Sequence, residues 1–218
     1  MKRAIALFLI LMCCTGVAQA GKGKGKSAPQ PREASSGPSL EETQLFIRDK
    51  MEKQGRVKWM WEAKSDKSIF LVEYSIESVS FDNCIMRLVV KKATAVKNKG
   101  DQQFKVSNED EQKYTCDLKD SNPAELKAKT AAFSDADNYL CKEGDCTRWQ
   151  VVAARCSTND TRTAWPNTAD SRTEYSHHDN ARSLWLFNNQ ESAKRVAKAL
   201  AHAGKLCGAK AAREDLFK

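Results

Sequence analysis

Apolar and polar residues alternate cleanly in one stretch of this chain. Phe70, Val72, Tyr74 and Ile76 stand against Glu73, Ser75 and Glu77, the period of a half-buried strand. Phe81-Asp82-Asn83 interrupts the run with turn chemistry, and Ile85 to Val90 resumes it. The two segments predict a β-hairpin. Upstream, Trp59 and Trp61 share one face of an extended segment, with Lys58, Met60 and Glu62 on the other. Before them, Ser39-Leu40-Glu41-Glu42 reads as a capping box. Its hydroxyl accepts from the amide three residues on, and Glu42 reaches back. That predicts a helix with Leu40, Phe46, Ile47 and Met51 on its apolar face and Gly55 as its stop.

The pattern weakens downstream. Lys97–Glu111 is polar and reads as a loop or a weak strand around Phe104 and Val106, followed by a strand at Tyr114–Leu118. Pro123 suits the first turn of a short helix over Ala124–Lys129. Residues 130–147 read as an inserted loop, Trp149–Cys156 as a strand and Asn159–Asp170 as turn-rich. Arg172–Tyr175 suggests a short strand, His177-His178-Asp179 a polar turn, and Arg182–Phe187 a strand with Leu184 and Leu186 opposite Trp185 and Phe187. The last element has the strongest helical pattern. Ala193, Val196, Ala197, Leu200, Gly204 and Cys207 fall on one face, Lys194, Arg195, Lys198, His202 and Lys205 on the remainder. Asn188 fits its N-cap and Gly208 its stop. The order predicts an α+β fold. An antiparallel curved sheet or small barrel of about seven strands would carry an N-terminal helix and a C-terminal capping helix.

Composition adds a compartment. Lys2 and Arg3, an apolar run from Ala4 to Met12 and the exit Ala18-Gln19-Ala20 form a signal peptide over residues 1–20. Cys13 and Cys14 raise lipid anchoring as the rival, but Met12 stands where such processing wants a small residue. Residues 21–38 read as a flexible basic linker, 39–208 as one globular domain and 209–218 as a C-terminal tail. Cleavage lowers the formal charge from +8 to +6, because it removes two cations and no acid. The apolar run is shorter than the roughly 20 residues that span a bilayer, so no integral membrane span is expected. The reading is a periplasmic or secreted protein.

The pleckstrin-homology-like fold is similar in element order, with seven strands in two packed sheets and a C-terminal helix closing one end. The stretch Tyr74-Ser75-Ile76-Glu77-Ser78-Val79-Ser80-Phe81-Asp82-Asn83-Cys84 resembles a group of uncharacterised exported bacterial proteins. So do Asp117–Pro123 and Leu200–Gly208. The resemblance covers about two thirds of the processed chain and implies a shared fold, with no activity or catalytic residue attached. Residues 130–147 have no counterpart in it.

Six cysteines remain after residue 20: Cys84, Cys116, Cys141, Cys146, Cys156 and Cys207. An even count in an exported chain argues for three disulfides among 15 connectivities. Cys141 and Cys146 flank Lys-Glu-Gly-Asp, where Gly144 lets the chain double back. Cys84 begins a strand and Cys207 ends the last helix on its inward face, so a bond between them would pin that helix to the sheet. Cys116 and Cys156 remain as the third pair. Zinc held by Cys141, Cys146, His177 and His178 is the competing use, but structural zinc sites have tighter paired spacings.

Other chemistry is poorly represented. Asp135-Ala136-Asp137-Asn138 begins like a calcium loop, but Tyr139 and Leu140 occupy ligand and glycine positions. No nucleotide fingerprint, nucleophile elbow or zinc-protease motif is present, and no cofactor is expected. Cations are interleaved with acids and lack a stacking motif, which argues against nucleic acid. The expectation is a non-enzymatic binding module for a protein, peptide or envelope component. The alternatives are a periplasmic hydrolase drawing on Glu73, Glu77, Asp179 or the His177/His178 region, and a secreted inhibitor or immunity-type protein presenting the Cys141–Cys146 loop.

Overall fold

A computed structural model describes residues 37–121, 126–132, 138–144, 148–167 and 171–209. The elements are α1 (Leu40–Gln54), β1 (Arg56–Ala63), β2 (Ile69–Asp82), β3 (Ile85–Lys97), β4 (Lys105–Asp117), β5 (Ala128–Ala132), β6 (Tyr139–Glu143), β7 (Arg148–Arg155), β8 (Thr158–Trp165), β9 (Arg172–Asp179), β10 (Arg182–Phe187) and α2 (Gln190–Leu206). The fold is α+β, as its element pattern predicts. Seven strands form one antiparallel sheet in the order β6-β1-β2-β3-β4-β8-β9, and three form a second in the order β10-β7-β5. The larger sheet is open, with β6 and β9 as its edges, so the barrel alternative does not hold.

The capping box at Ser39 is made as its residues dictate. Glu42 N–H donates to the Ser39 hydroxyl at 3.2 Å, and Ser39 N–H donates to the Glu42 carboxylate at 2.8 Å. These bonds hold the Glu42 carboxyl below its ordinary pKa. Ile47 and Met51 are fully buried, while Leu40 and Phe46 are partly covered. Gly55 ends the helix for a reason other than backbone freedom, since its φ is −82°. A Cβ there would stand 2.5 Å from both the Ile76 Cδ1 and the Met51 carbonyl oxygen. Gly55→Ala should therefore destabilise by about 1–3 kcal/mol, through a clash with fixed backbone, in urea unfolding.

The β2–β3 hairpin is the spine of the sheet, and Asn83 takes the left-handed conformation (φ 51°) at its turn. Val72, Tyr74 and Ile76 are buried, and then the inward parity changes to Val79. The cause is a β-bulge. Ile76 pairs with Val90 and Ser78 with Val89, which leaves Glu77 as the extra residue. Without that insertion Val79 would face solvent. Glu52 of α1 accepts the Val79 N–H at 2.8 Å, fastening helix to strand beside the bulge.

The helices lie together and connect the two sheets. Asn188 N–H donates to the Gln54 carbonyl at 3.2 Å, and the Ser192 hydroxyl bonds the Gln54 side chain. The N-cap of α2 is Asn189 rather than Asn188, its side chain accepting from Ser192 N–H at 2.8 Å. Ala193, Val196, Ala197, Leu200, Gly204 and Cys207 are all buried. Gly208 ends the helix with φ +87°. Trp185 and Phe187 of β10 enter the core, and so does Leu186, while Leu184 is exposed. Between the sheets, the Tyr74 hydroxyl accepts from Leu186 N–H at 3.4 Å, and its burial pushes its pKa far above the ordinary value.

Two disulfides lock this arrangement. Cys84, in the β2–β3 turn, bonds Cys207 at the end of α2, with Cα atoms 5.7 Å apart. Cys116 of β4 bonds Cys156, which follows β7, with Cα atoms 4.0 Å apart. The first ties the terminal helix to the spine hairpin. The second ties the end of the smaller sheet to the larger one. Cys141 stands in β6 and is disulfide-bonded, and Gly144 adopts φ +75° against Lys58 of β1. Cys146, the residue the sequence pairs with Cys141, lies outside the described residues.

Several local expectations are corrected. Residues 130–147 are not simply a loop, because they include part of β5 and all of β6. Ala128 and Lys129 are in β5 instead of a helix, and residues 122–125 lie outside the described residues. Lys105–Glu111 belongs to β4, most of the turn-rich Asn159–Asp170 segment is β8, and His177-His178-Asp179 completes β9. The common physical reason is that these strands carry no apolar alternation to announce them.

Candidate functional site

β4, β8 and β9 form one side of the large sheet, and of these strands Tyr114 and Cys116 belong to the hydrophobic core. Residues on one face there include Glu111, Lys113, Asp160, Arg162, Tyr175 and His177; on the other stand Asp110, Gln112, Thr161, Thr163, Glu174 and Ser176. Neither face is apolar. All eight residues of β9 are exposed, Tyr175 at 76 %. Among the described residues this strand pairs with one neighbour, β8.

That neighbour holds it well. β8 and β9 pair without a register shift from Thr158–Asp179 to Trp165–Arg172. Opposite residues supply specific contacts. His177 Nδ1 lies 2.6 Å from Asp160 Oδ1 across the ladder, and Nε2 lies 3.2 Å from Asp179 Oδ1 two residues along its own strand. The Asp160 bond first, and the Asp179 bond after it, raise the imidazole pKa above its ordinary value. The Arg172 guanidinium covers the Trp165 ring at 4.6 Å, and Asn167 donates to the Val106 carbonyl at 2.9 Å, closing the end toward β4. A shallow groove runs between the strands, lined by Glu111, Lys113, Asp160, Arg162, Tyr175 and His177.

Both nitrogens of His177 are engaged by carboxylates, which leaves neither to take a proton from a nucleophile. His178 is its chain neighbour in a strand, so its side chain projects to the opposite face. The two histidines therefore do not form one site. Glu73 and Glu77 are four strand positions away on β2, about 19 Å at the usual spacing. Glu73 pairs there with Lys58 at 2.9 Å, and Glu77 accepts from the Ser75 hydroxyl at 2.5 Å. Of the groups named for a hydrolase, Asp179 and His177 meet, while Glu73 and Glu77 stand apart from them on β2. Cys141 is disulfide-bonded and lies on the opposite edge strand of the sheet from His177, so it offers no free thiolate for a shared zinc ion.

His202 stands on α2. It is half-buried, with Nε2 3.0 Å from the Pro38 carbonyl oxygen. It borders a second concavity between α1 and α2, lined by Pro38, Thr43, Phe46, Lys198 and Ala199. The pairing of Asp160 with His177 was the feature sequence reading missed. No motif links residues 17 apart in two polar strands, and only the register brings them face to face.

The carboxylate clamp has a measurable signature. The His177 titration midpoint should lie above that of an unperturbed histidine by NMR, and Asp160→Asn should lower it. The sign for stability follows from linkage. A raised folded-state pKa stabilises below the unfolded pKa, and that contribution is lost as pH rises through the folded value.

Fold and site together define a disulfide-stapled α+β domain with an open, doubly solvated sheet edge. No family model matches the chain, and no curated protein or solved structure matches it either.

Proposed function

We propose that this chain is an exported, non-enzymatic binding module that recognises a protein, peptide or envelope component through the β8–β9 end of its large sheet. The observation that supports this most is β9 itself, eight exposed residues in unbroken register at an open edge. Such an edge offers unpaired backbone groups to an added strand, and alternate side chains supply selectivity. Export agrees with the signal-peptide pattern of residues 1–20 and with two disulfide bridges, which persist in an oxidising compartment. Among the described residues no helix is long and apolar enough to cross a membrane. The resemblance to uncharacterised exported bacterial proteins belongs to the same reading.

The test is amide hydrogen exchange on the disulfide-bonded chain, alone and after incubation with native envelope extract. Binding at this edge slows exchange across Arg172–Asp179, and Tyr175→Ala with Arg162→Ala weakens that protection. Protection confined to other elements, with exchange in β9 unchanged, would overturn the assignment.

A further inference from the structure

The two edges of the large sheet are treated differently. β6 has only five residues, its register against β1 shifts between Met60 and Trp61, and its Lys142 is held by Glu62 at 2.6 Å. Short length, irregular register and lysine are the usual means by which an edge resists pairing. β9 has none of them. It runs eight residues, contains neither proline nor lysine, and has no register shift. Its backbone edge is long and regular enough to accept a further strand.

We infer that the strand added to β9 is β9 of a second copy, antiparallel about a two-fold axis at Ser176. This rests on reading β9 as the binding edge, and it names the partner. Antiparallel pairing about an axis perpendicular to the sheet keeps each face on its own side, so only residues of the same parity can oppose one another. With the axis at Ser176, Glu174 opposes His178 of the second copy, and Asp179 opposes Thr173. Tyr175 opposes His177, and Arg172 opposes Asn180. Each acid faces a hydrogen-bond donor, and the smallest side chain of the strand sits on the axis. Moving the axis to Tyr175 sets Arg172 against His178, and moving it to His177 sets two imidazoles against each other. Only the Ser176 register among the three is free of such like pairs. The product is one continuous sheet of fourteen strands, with β9 no longer at an edge and β6 at both ends.

Sedimentation velocity of the full disulfide-bonded chain over a wide concentration range tests this. The expected result is a monomer–dimer equilibrium. Glu174→Lys should weaken it by about tenfold or more, since each dimer contains the affected pair twice. Adding His178→Glu to Glu174→Lys sets a lysine opposite a glutamate and should restore it. Ser176→Cys should yield a covalent dimer on mild oxidation, with the cross-link mapped to position 176. These are exposed positions, so circular dichroism should confirm an unchanged fold in each variant. A chain that stays monomeric throughout overturns the inference. So does a dimer indifferent to Glu174→Lys and not captured by Ser176→Cys. If the monomer nevertheless gains β9 protection from envelope extract, the binding reading stands and only the identity of the partner is wrong. If neither occurs, both fail.

Discussion

Replacing Cys84 and Cys207 together by alanine should lower the unfolding free energy by about 4–5 kcal/mol, the largest effect expected of any small change to this chain. The bridge spans 123 residues. Cutting it returns to the unfolded chain the freedom of a long ring, which the chain-entropy model values at about that figure. The native state loses a clamp as well. Cys207 is the last residue of the buried face of α2, and Cys84 occupies the turn of the spine hairpin. Urea unfolding without reductant should show a lower midpoint and a steeper slope, because the uncrosslinked chain exposes more surface. A loss below about 1 kcal/mol would mean the bond does not constrain the unfolded ensemble as its ring length implies.

Trp185→Ala should cost about 3–5 kcal/mol, the range for deleting a buried aromatic. Trp185 is 1 % exposed, in the middle of β10, and belongs to the core that α1, α2 and both sheets share. No described residue accepts a hydrogen bond from its indole N–H. Trp185→Phe therefore keeps a ring in place and removes a donor without depriving any acceptor. It should cost much less, about 1–2 kcal/mol. Denaturant midpoints of the two variants give the comparison. Equal losses would show that the site depends on the indole as a whole rather than on the volume it fills.

Sequence patterning revealed the elements that touch the core and overlooked those that do not. Val72, Tyr74 and Ile76, the stripe of α2 and the Ser39 box are legible because burial and capping each demand particular residues at fixed spacing. β8 and β9 lack that demand. Their side chains are mostly polar on both faces, so Asn159–Asp170 reads as turn-rich, Arg172–Tyr175 alone as a short strand and His177-His178-Asp179 as a polar turn. The lower part of β4 is hidden for the same reason. The Glu77 bulge is a subtler case. Its effect is a change of parity between Ile76 and Val79, visible in the residues but interpretable only with β3 alongside. Cys84–Cys207 is legible from position, because the end of a helix and the start of a strand can meet across a core, and Cys116–Cys156 is then the pair left over; both are formed. The candidate site was not legible in that way. His177 and Asp160 become partners through ladder register alone.

The two bridges are nested: the span from Cys84 to Cys207 contains both Cys116 and Cys156. A polypeptide is made amino terminus first, so an oxidant acting on the growing chain meets Cys84 beside Cys116 long before either native mate exists. Neighbour-by-neighbour pairing would give the wrong isomer. Correct maturation must therefore wait for the last helix or pass through reshuffling, and its yield should depend on a thiol–disulfide isomerase more than on oxidising strength.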